Sequence, residues 1–240
     1  EIKIKNHILK KFKTSDPCQS TTHMFADDKL VYKIRKTSAP SMIKDGVEIL
    51  RKLNKKNMKH LRFYENYRIV FGKGTKFNST VGILCNRRNI SIRRVIQDIG
   101  KKNGSHKGCF INILTGFCRL YYFLYQKQSK IEDAFTKNFS LGWVECNGNG
   151  VFLVFILDEE LPQKVDSKEE SAKKLCEHFG KIWKSIQEDC EENKIVIDIQ
   201  THLLFDYLNI LLQQLSSGLI DLFEYDGKVI LITERYMKNE

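Results

Sequence analysis

Hydrophobic and polar positions in the first third of the chain follow two periods. Residues 1–14 begin by alternating apolar and basic side chains, which is the period of a strand with one solvent-facing side. Residues 29–36, 60–71 and 80–85 are also predicted strands, whereas residues 41–58 have the 3.6-residue period of an amphipathic helix. This pattern predicts a mixed or antiparallel sheet accompanied by a helix.

The middle of the chain changes to mainly helical periodicity. Residues 89–99 carry one apolar stripe that ends at Gly100, a predicted C-cap. Residues 109–127 are apolar on nearly every side, which predicts a buried helix. Residues 139–157 contain two apolar runs around an Asn-Gly-Asn-Gly turn and are a predicted hairpin, and a further helix is predicted at 169–188.

The last part of the chain has the predicted order strand, helix, hairpin. The strand is residues 194–200, and the helix is residues 201–216 with Gly218 as its left-handed C-cap. The hairpin is residues 219–234, with a tight turn at Asp226-Gly227, because Asp and Gly tolerate positive φ. This order is the closing half of a winged-helix module.

The predicted fold class is α+β, with a mixed or antiparallel sheet and helices first and winged-helix-like modules toward the C-terminus. Residues 1–157 form the first predicted domain, and they include a second winged-helix-like unit at 89–157 with the order helix, helix, hairpin. Residues 158–240 form the second predicted domain, because 158–168 is the most linker-like stretch.

Charge divides the chain in a similar way. The net charge is +11, but residues 1–120 contain 27 Lys and Arg against 8 Asp and Glu, whereas residues 121–240 contain 13 against 21. A basic half favours a polyanionic partner, although a lysine-rich solvated surface has the same composition. Nucleic acid is the polyanion that we expect, since lysine and arginine gain affinity by releasing the counterions of phosphate.

The candidate nucleic-acid-binding residues are the basic side chains of two predicted helices, a strand and a glycine-containing loop. They are Lys52, Lys55, Lys56, Lys59, Arg62, Arg87, Arg88, Arg93, Arg94, Lys101, Lys102 and Lys107. Arg87 and Arg88 precede a helix start and Arg93 and Arg94 lie in its opening turns, where backbone N–H groups and the helix dipole also favour anions. The C-terminal helix has no Lys or Arg, so the acidic C-terminal half is expected to bind a protein partner or a second copy.

No motif in the sequence supports a particular catalytic chemistry. The loop from Gly100 to Gly108 lacks the Walker spacing, and Cys176, His178, Cys190 and His202 match no compact zinc pattern. Asp158 ends a predicted strand and could bind a divalent ion, but no Glu-x-Lys follows on a neighbouring strand. A metal-dependent nuclease is therefore the least supported alternative, and no catalytic residue, metal or cofactor is predicted.

We therefore expect a non-enzymatic module of a larger protein. Its basic N-terminal half contacts the phosphate backbone of DNA or RNA, and its C-terminal half packs on a partner. The alternative is a protein-interaction scaffold whose basic face binds an acidic peptide. The seven cysteines have no tight spacing and suit reduced, buried thiols, and no apolar run has membrane-spanning length, so an intracellular location, nuclear or cytoplasmic, without membrane contact is expected.

Overall fold

We describe the fold from a computed structural model of the 240-residue chain. The described residues are 1–4, 6–12, 23–37, 45, 48, 68–71, 79–86, 90–101, 106–146, 149–156 and 162–238. The chain divides into two compact units, unit 1 (Glu1–Asn89) and unit 2 (Ile90–Glu240). Residues on both sides of the boundary predicted between 157 and 158 lie in unit 2. The mixture of helices and antiparallel sheet agrees with the predicted α+β class.

Unit 1 contains an antiparallel sheet, which has six strands in its described part. They are β1 (Ile2–Ile4), β2 (His7–Phe12), β3 (His23–Ala26), β4 (Leu30–Thr37), β5 (Arg68–Phe71) and β6 (Ser79–Asn86), in the order β1-β2-β3-β4-β6-β5. Asp27 shapes the turn between β3 and β4, because its Oδ1 accepts hydrogen bonds from the N–H groups of Lys29 and Leu30 at 2.8 and 2.7 Å. The predicted strands at 1–14, 29–36 and 80–85 are confirmed, the first as two strands.

Part of unit 1 lies outside the described residues. Of the predicted helix at 41–58, only Asp45 and Glu48 are described, and both are helical. Of the predicted strand at 60–71, the described part is β5.

Unit 2 is built around one buried helix. Its helices are α1 (Ile92–Gly100), α2 (Lys107–Gln126), α3 (Lys168–Glu192), α4 (Ile199–Ser216) and α5 (Leu222–Lys238). Helix α2 contacts α3, α4 and α5, and it presents fully buried side chains on several sides, among them Phe117, Leu120 and Tyr121. The all-round apolar sequence at 109–127 thus forms the buried helix that it predicts. No helix in the described part of the chain is long and apolar enough to span a membrane.

Two small antiparallel sheets complete unit 2. The hairpin of β8 (Phe139–Cys146) and β9 (Asn149–Ile156) confirms the predicted hairpin, and β7 (Ser129–Lys130) pairs with β10 (Gln163–Lys164). Helix α2 lies close to β9 at Gly116, where an added Cβ would stand 2.9 Å from Val154 Cγ2. This close approach explains a glycine in the middle of a buried helix.

The winged-helix prediction for residues 158–240 fails at its hairpin. Residues 222–238 are the helix α5 instead, whose Tyr225 and Val229 are buried four residues apart, on one helical face. Asp221 accepts a hydrogen bond from the Glu224 N–H at 2.7 Å, which is N-terminal capping. Asp226 is half-buried within the helix, and its carboxyl interacts with Arg119 of α2.

The predicted strand at 194–200 is also wrong. Lys194 has a positive φ of 57°, residues 195–198 are irregular, and α4 begins at Ile199. Asp198 caps this helix because its Oδ1 accepts the Thr201 N–H at 2.8 Å. The C-terminal end of α4 is as predicted: Gly218 has φ of +71°, and the Leu219 N–H donates to the Gln214 carbonyl at 2.9 Å.

Candidate functional site: the Asp133 loop

Most of the predicted nucleic-acid-binding residues lie outside the described part of the chain. These are Lys52, Lys55, Lys56, Lys59, Arg62, Arg87, Arg88 and Lys102. Lys107 is the first residue of α2. The structure therefore places three of the predicted side chains, Arg93, Arg94 and Lys101, all on or directly after α1.

These three side chains form ion pairs within unit 2. Arg93 contacts Asp189 at 3.2 Å and Glu192 at 2.8 Å, and both carboxylates belong to α3. Arg94 and Lys101 both contact Asp98, at 3.2 and 3.7 Å. Arg93 therefore joins α1 to α3, and the predicted contact of these residues with phosphate stays a prediction.

Asp189 is a member of a larger set of polar side chains on α3 that are buried. Ser171, His178, Ser185 and Asp189 are separated by seven, seven and four residues, so they lie on one face of the helix. We call these four residues the α3 polar seam. Polar side chains in such positions need hydrogen-bond partners, and each of the four has one in the segment from β7 to the start of β8.

The α3 polar seam holds that segment at four points. Ser171 Oγ donates to the Ser129 carbonyl at 2.7 Å, and His178 Nε2 lies 2.7 Å from the Asp133 carbonyl oxygen. Ser185 Oγ accepts the Thr136 N–H at 3.3 Å, and the Thr136 hydroxyl donates to Asp189 Oδ2. These hydrogen bonds to α3 hold the loop of residues 131–138, here called the Asp133 loop, in place.

The Asp133 loop also has hydrogen bonds of its own. Asp133 Oδ1 accepts the Phe135 N–H at 3.1 Å, and Asp133 Oδ2 accepts the Asn138 side-chain Nδ2 at 2.5 Å. Thr136–Asn138 form one turn of 3₁₀ helix, after which β8 begins. A carboxylate and a carboxamide five residues apart are therefore in direct contact on a short, braced loop.

The pKa and tautomer of His178 follow from its surroundings. Burial lowers the pKa of the imidazole to about 4, against the hydrogen bond to Asp133, which raises it. The ring is therefore neutral near pH 7. Because the Asp133 carbonyl can only accept, Nε2 carries the proton, and Nδ1 accepts from the Tyr121 hydroxyl at 2.7 Å.

Asp189 lies between a cation and a hydroxyl. Burial raises the pKa of its carboxyl above the usual value, while the Thr136 hydroxyl and Arg93 act in the opposite direction. Its oxygens bind the Asp133 loop on one side and α1 on the other. Asp189 therefore helps to hold the Asp133 loop in place from α3, and it is itself buried.

The Asp133 loop carries an exposed aromatic ring and two less exposed polar side chains. Phe135 is 58% exposed, and Lys137 Nζ lies 5.6 Å from the centre of its ring. Asp133 is half-buried, and Asn138 is buried. The loop therefore offers carboxylate and carboxamide oxygens, which are hard ligands of the kind that Mg²⁺ takes.

Thiol chemistry and a zinc site have little support in the described residues. The described cysteines Cys109, Cys118, Cys176 and Cys190 are free thiols. Burial raises the pKa of Cys118 and Cys190 to about 12 and that of Cys109 and Cys176 to about 11, which disfavours the reactive thiolate. No group of three His, Cys, Asp or Glu suited to a metal occurs among the described residues.

Sequence reasoning missed the Asp133 loop and the α3 polar seam. Two signals were present: the spacing Asp133-x4-Asn138 directly before a predicted hairpin, and the heptad spacing of Ser171, His178 and Ser185 along an amphipathic helix. From the sequence, His178 is only one of four residues that match no compact zinc pattern. Its position on the buried face of α3 gives it a structural partner instead.

Comparisons with known proteins add little to this geometry. No family model matches the chain, and no curated protein matches its sequence. One similar solved structure is described as "WaaP in complex with acyl carrier protein". It is 12% identical, the match covers 96% of this chain and 88% of that one, and the TM-score is 0.49.

Proposed function

We propose that the chain is a phosphotransferase of the protein-kinase type. The observation that carries this proposal is the contact of Asp133 with Asn138 across a five-residue interval on a braced loop. In protein kinases the catalytic loop has an Asp followed, after four residues, by an Asn. The Asp accepts the proton of the substrate hydroxyl, and the Asn binds a magnesium ion.

The order of elements after the loop supports the same function. The hairpin β8–β9 follows Asn138 directly, and Asp158 comes two residues after the end of β9. In protein kinases an Asp that follows the catalytic loop in sequence binds magnesium. Asp158 itself lies outside the described residues, so its role is proposed from its position in the sequence.

Unit 1 has two residues at positions that fit this class. Lys33 lies on β4, a strand between β3 and β6, and Glu48 is helical and lies between β4 and β5 in sequence. Protein kinases use a strand lysine for the α- and β-phosphates and pair it with a helix glutamate. We propose these roles for Lys33 and Glu48.

The chain departs from the protein-kinase pattern at several positions. Residues 13–22, between β2 and β3, contain no glycine, and Ile131-Glu132 precede Asp133 where kinases have His-Arg. Asp158 is followed by Glu159-Glu160 instead of Phe-Gly. Phosphate binding by the backbone of a glycine-rich loop is therefore not part of the proposed mechanism.

The residues of the Asp133 loop fit a magnesium ion. Asn138 uses its Nδ2 for Asp133, and its other amide atom is an oxygen, a ligand that Mg²⁺ accepts. When bound, the ion would neutralise charge on the transferred phosphoryl group. Asp133 would orient the acceptor hydroxyl and take its proton, while the hydrogen bonds from Asn138 and Phe135 hold its carboxylate in one orientation.

Binding of a fluorescent ATP analogue tests the nucleotide part of this proposal. We expect saturable binding to the full chain in Mg²⁺, displacement by ATP, and loss of the metal-dependent part in Asn138→Ala. Asn209→Ala, a half-buried asparagine on α4, is the matched control and should bind as the wild type does. The proposal is wrong if the wild-type chain does not bind the analogue either in Mg²⁺ or in EDTA.

A second candidate function is polyanion binding by unit 1, which the positive net charge of this unit favours. Residues 1–89 contain 21 Lys and Arg against 7 Asp and Glu, a net charge of +14. Lys3, Lys10, Lys11 and Lys29 are exposed. Contact with the nucleic-acid backbone would use these lysines together with the predicted basic residues of the same unit.

A gel-shift series with DNA, RNA and heparin at increasing salt tests this second function. Reversing Lys10, Lys11 and Lys29 to Glu should weaken binding of all three polyanions and reduce its salt dependence. An unchanged affinity at low salt would exclude these lysines. Binding of a poly-glutamate peptide, without binding of DNA or RNA, would favour the acidic-peptide alternative.

A further inference from the structure

One face of α4 exposes large apolar side chains. Ile199, Leu203, Tyr207 and Ile210 are 75%, 56%, 42% and 48% exposed, and their spacing of four, four and three residues places them on one side of the helix. We call them the α4 stripe. Because a helix rises about 1.5 Å per residue, the stripe is about 17 Å long.

The α4 stripe is not needed for the packing of unit 2. The opposite side of α4 carries the buried Leu204, Leu208, Leu211 and Leu215, and Phe205 stacks on Trp183 of α3 with ring centres 4.8 Å apart. Helix α4 is therefore apolar on two sides, of which one is satisfied by the fold. Large exposed apolar patches of this kind mark interaction surfaces.

The charge around the α4 stripe selects among occupants. Residues 195–227 contain five Asp and Glu and no Lys or Arg. Glu224 pairs with Lys228 at 2.7 Å and Asp226 interacts with Arg119, whereas the other three, Asp198, Asp206 and Asp221, are exposed. Asp206 lies beside Leu203 and Ile210 on the helix surface. Phosphate-rich ligands and anionic membranes are repelled by such a surface. Pairing of the stripe with the same stripe of a second copy would bring the acidic residues together, which also costs free energy.

We propose that the α4 stripe is the docking site of an amphipathic helix from a partner protein, with basic residues beside its apolar face. The apolar residues of that helix would pack between the side chains of the stripe, as ridges pack into grooves. Its lysines or arginines would lie beside Asp206, beside Asp198 at the N-terminus of α4, and beside Asp221, which precedes α5. The α4 stripe shares no residue with the Asp133 loop, so the proposal does not rest on the proposed function.

Two 18-residue fluorescent peptides test the proposal. Both have leucines at the same helical positions, and their polar positions are all Lys in one and all Glu in the other. Anisotropy titrations with the full chain should show that the Leu/Lys peptide binds saturably, at least tenfold tighter than the Leu/Glu peptide. The variant Leu203→Gln with Ile210→Gln should weaken the Leu/Lys peptide at least tenfold.

The chain offers a matched control for that variant. Ile8 and Ile90 are 57% and 49% exposed, nearly the same as Leu203 and Ile210, and the variant Ile8→Gln with Ile90→Gln should bind like the wild type. Equal affinity for the two peptides, or binding that the α4 variant leaves unchanged, would overturn the proposal. A wild-type dimer in light scattering that becomes a monomer in the α4 variant would show that a second copy is the occupant, and would also overturn it.

Discussion

His178 Nε2 and the backbone carbonyl of Asp133 are 2.7 Å apart, although 45 residues separate them in sequence. This hydrogen bond connects the buried face of α3 to the loop that carries the candidate catalytic carboxylate. The other ring nitrogen accepts from the hydroxyl of Tyr121, in the C-terminal half of α2. The position of Asp133 thus depends directly on the packing of the two longest helices of unit 2.

The depressed pKa of His178 predicts a loss of stability in mild acid. The folded-state pKa is about 4, whereas an unfolded histidine titrates near 6.5, so the unfolded chain binds the extra proton as the pH falls from 6.5 to 4. The wild type should lose about 3 kcal/mol of unfolding free energy across this window through His178. Urea denaturation at several pH values measures the loss.

The variant His178→Gln isolates this contribution. It lacks the titrating ring, so its stability should fall by less than that of the wild type between pH 6.5 and 4. Parallel pH profiles for wild type and His178→Gln would contradict the buried, neutral imidazole.

Removal of Asp189 should destabilise unit 2 strongly. Asp189→Ala leaves the Arg93 guanidinium and the Thr136 hydroxyl without their shared partner, which we expect to cost about 3 kcal/mol. Glu192→Gln changes an exposed partner of Arg93 and should cost less than about 1 kcal/mol. Equal effects of the two substitutions in chemical denaturation would show that the ion pair with Asp189 is not structural.

A substitution at Gly227 distinguishes the observed helix α5 from the predicted hairpin. Gly227 lies inside α5, and an added Cβ would meet no atom within 4 Å. Gly227→Ala should therefore stabilise the chain by about 0.5–1 kcal/mol, as should Gly180→Ala in the middle of α3. In an Asp-Gly hairpin turn the same alanine would be destabilising, because the turn needs positive φ. If Gly227→Ala lowered the melting temperature and Gly180→Ala did not, the result would favour the predicted hairpin over helix α5.

Gly116 should behave in the opposite way. Its missing side chain lets α2 approach β9, and a Cβ there would stand 2.9 Å from Val154 Cγ2 and 3.4 Å from the Val154 backbone nitrogen. We expect Gly116→Ala to cost about 1–3 kcal/mol despite the better helix propensity of alanine. A double variant with Val154→Ala should recover part of the loss, and an absence of recovery would mean that the contact with Val154 is not the cause.

The elements that the sequence predicts well are those whose pattern has one interpretation. Residues 109–127 are apolar on all sides and long, so only a buried helix fits them, and the hairpin at 139–157 has both alternation and a turn signal. Residues 219–234 had two interpretations. The Asp-Gly pair indicated a turn, while the capping residue Asp221 and the helical spacing of Tyr225 and Val229 indicated α5.

Packing decided that case, because the helical alternative buries Tyr225 against α2, where its hydroxyl lies 3.3 Å from the Cys118 carbonyl. The Asp133 loop was harder to predict for a different reason. Its partners His178, Ser185 and Asp189 follow 45 to 56 residues later in the chain. Their spacing in the sequence shows that they share one face of α3. Which segment packs against that face depends on tertiary contacts, which the sequence pattern does not show.

The rate of phosphoryl transfer from ATP by Asp133→Asn tests the proposed function most directly. Release of labelled phosphate, or its transfer to protein, should be measured with Mg²⁺ for the wild type, for Asp133→Asn and for the exposed control Asp166→Asn. We expect Asp133→Asn to lose about 10²-fold or more of the rate and to keep its binding of the ATP analogue, with Asp166→Asn unchanged. A wild-type rate no greater than that of Asp133→Asn would contradict catalysis at the Asp133 loop.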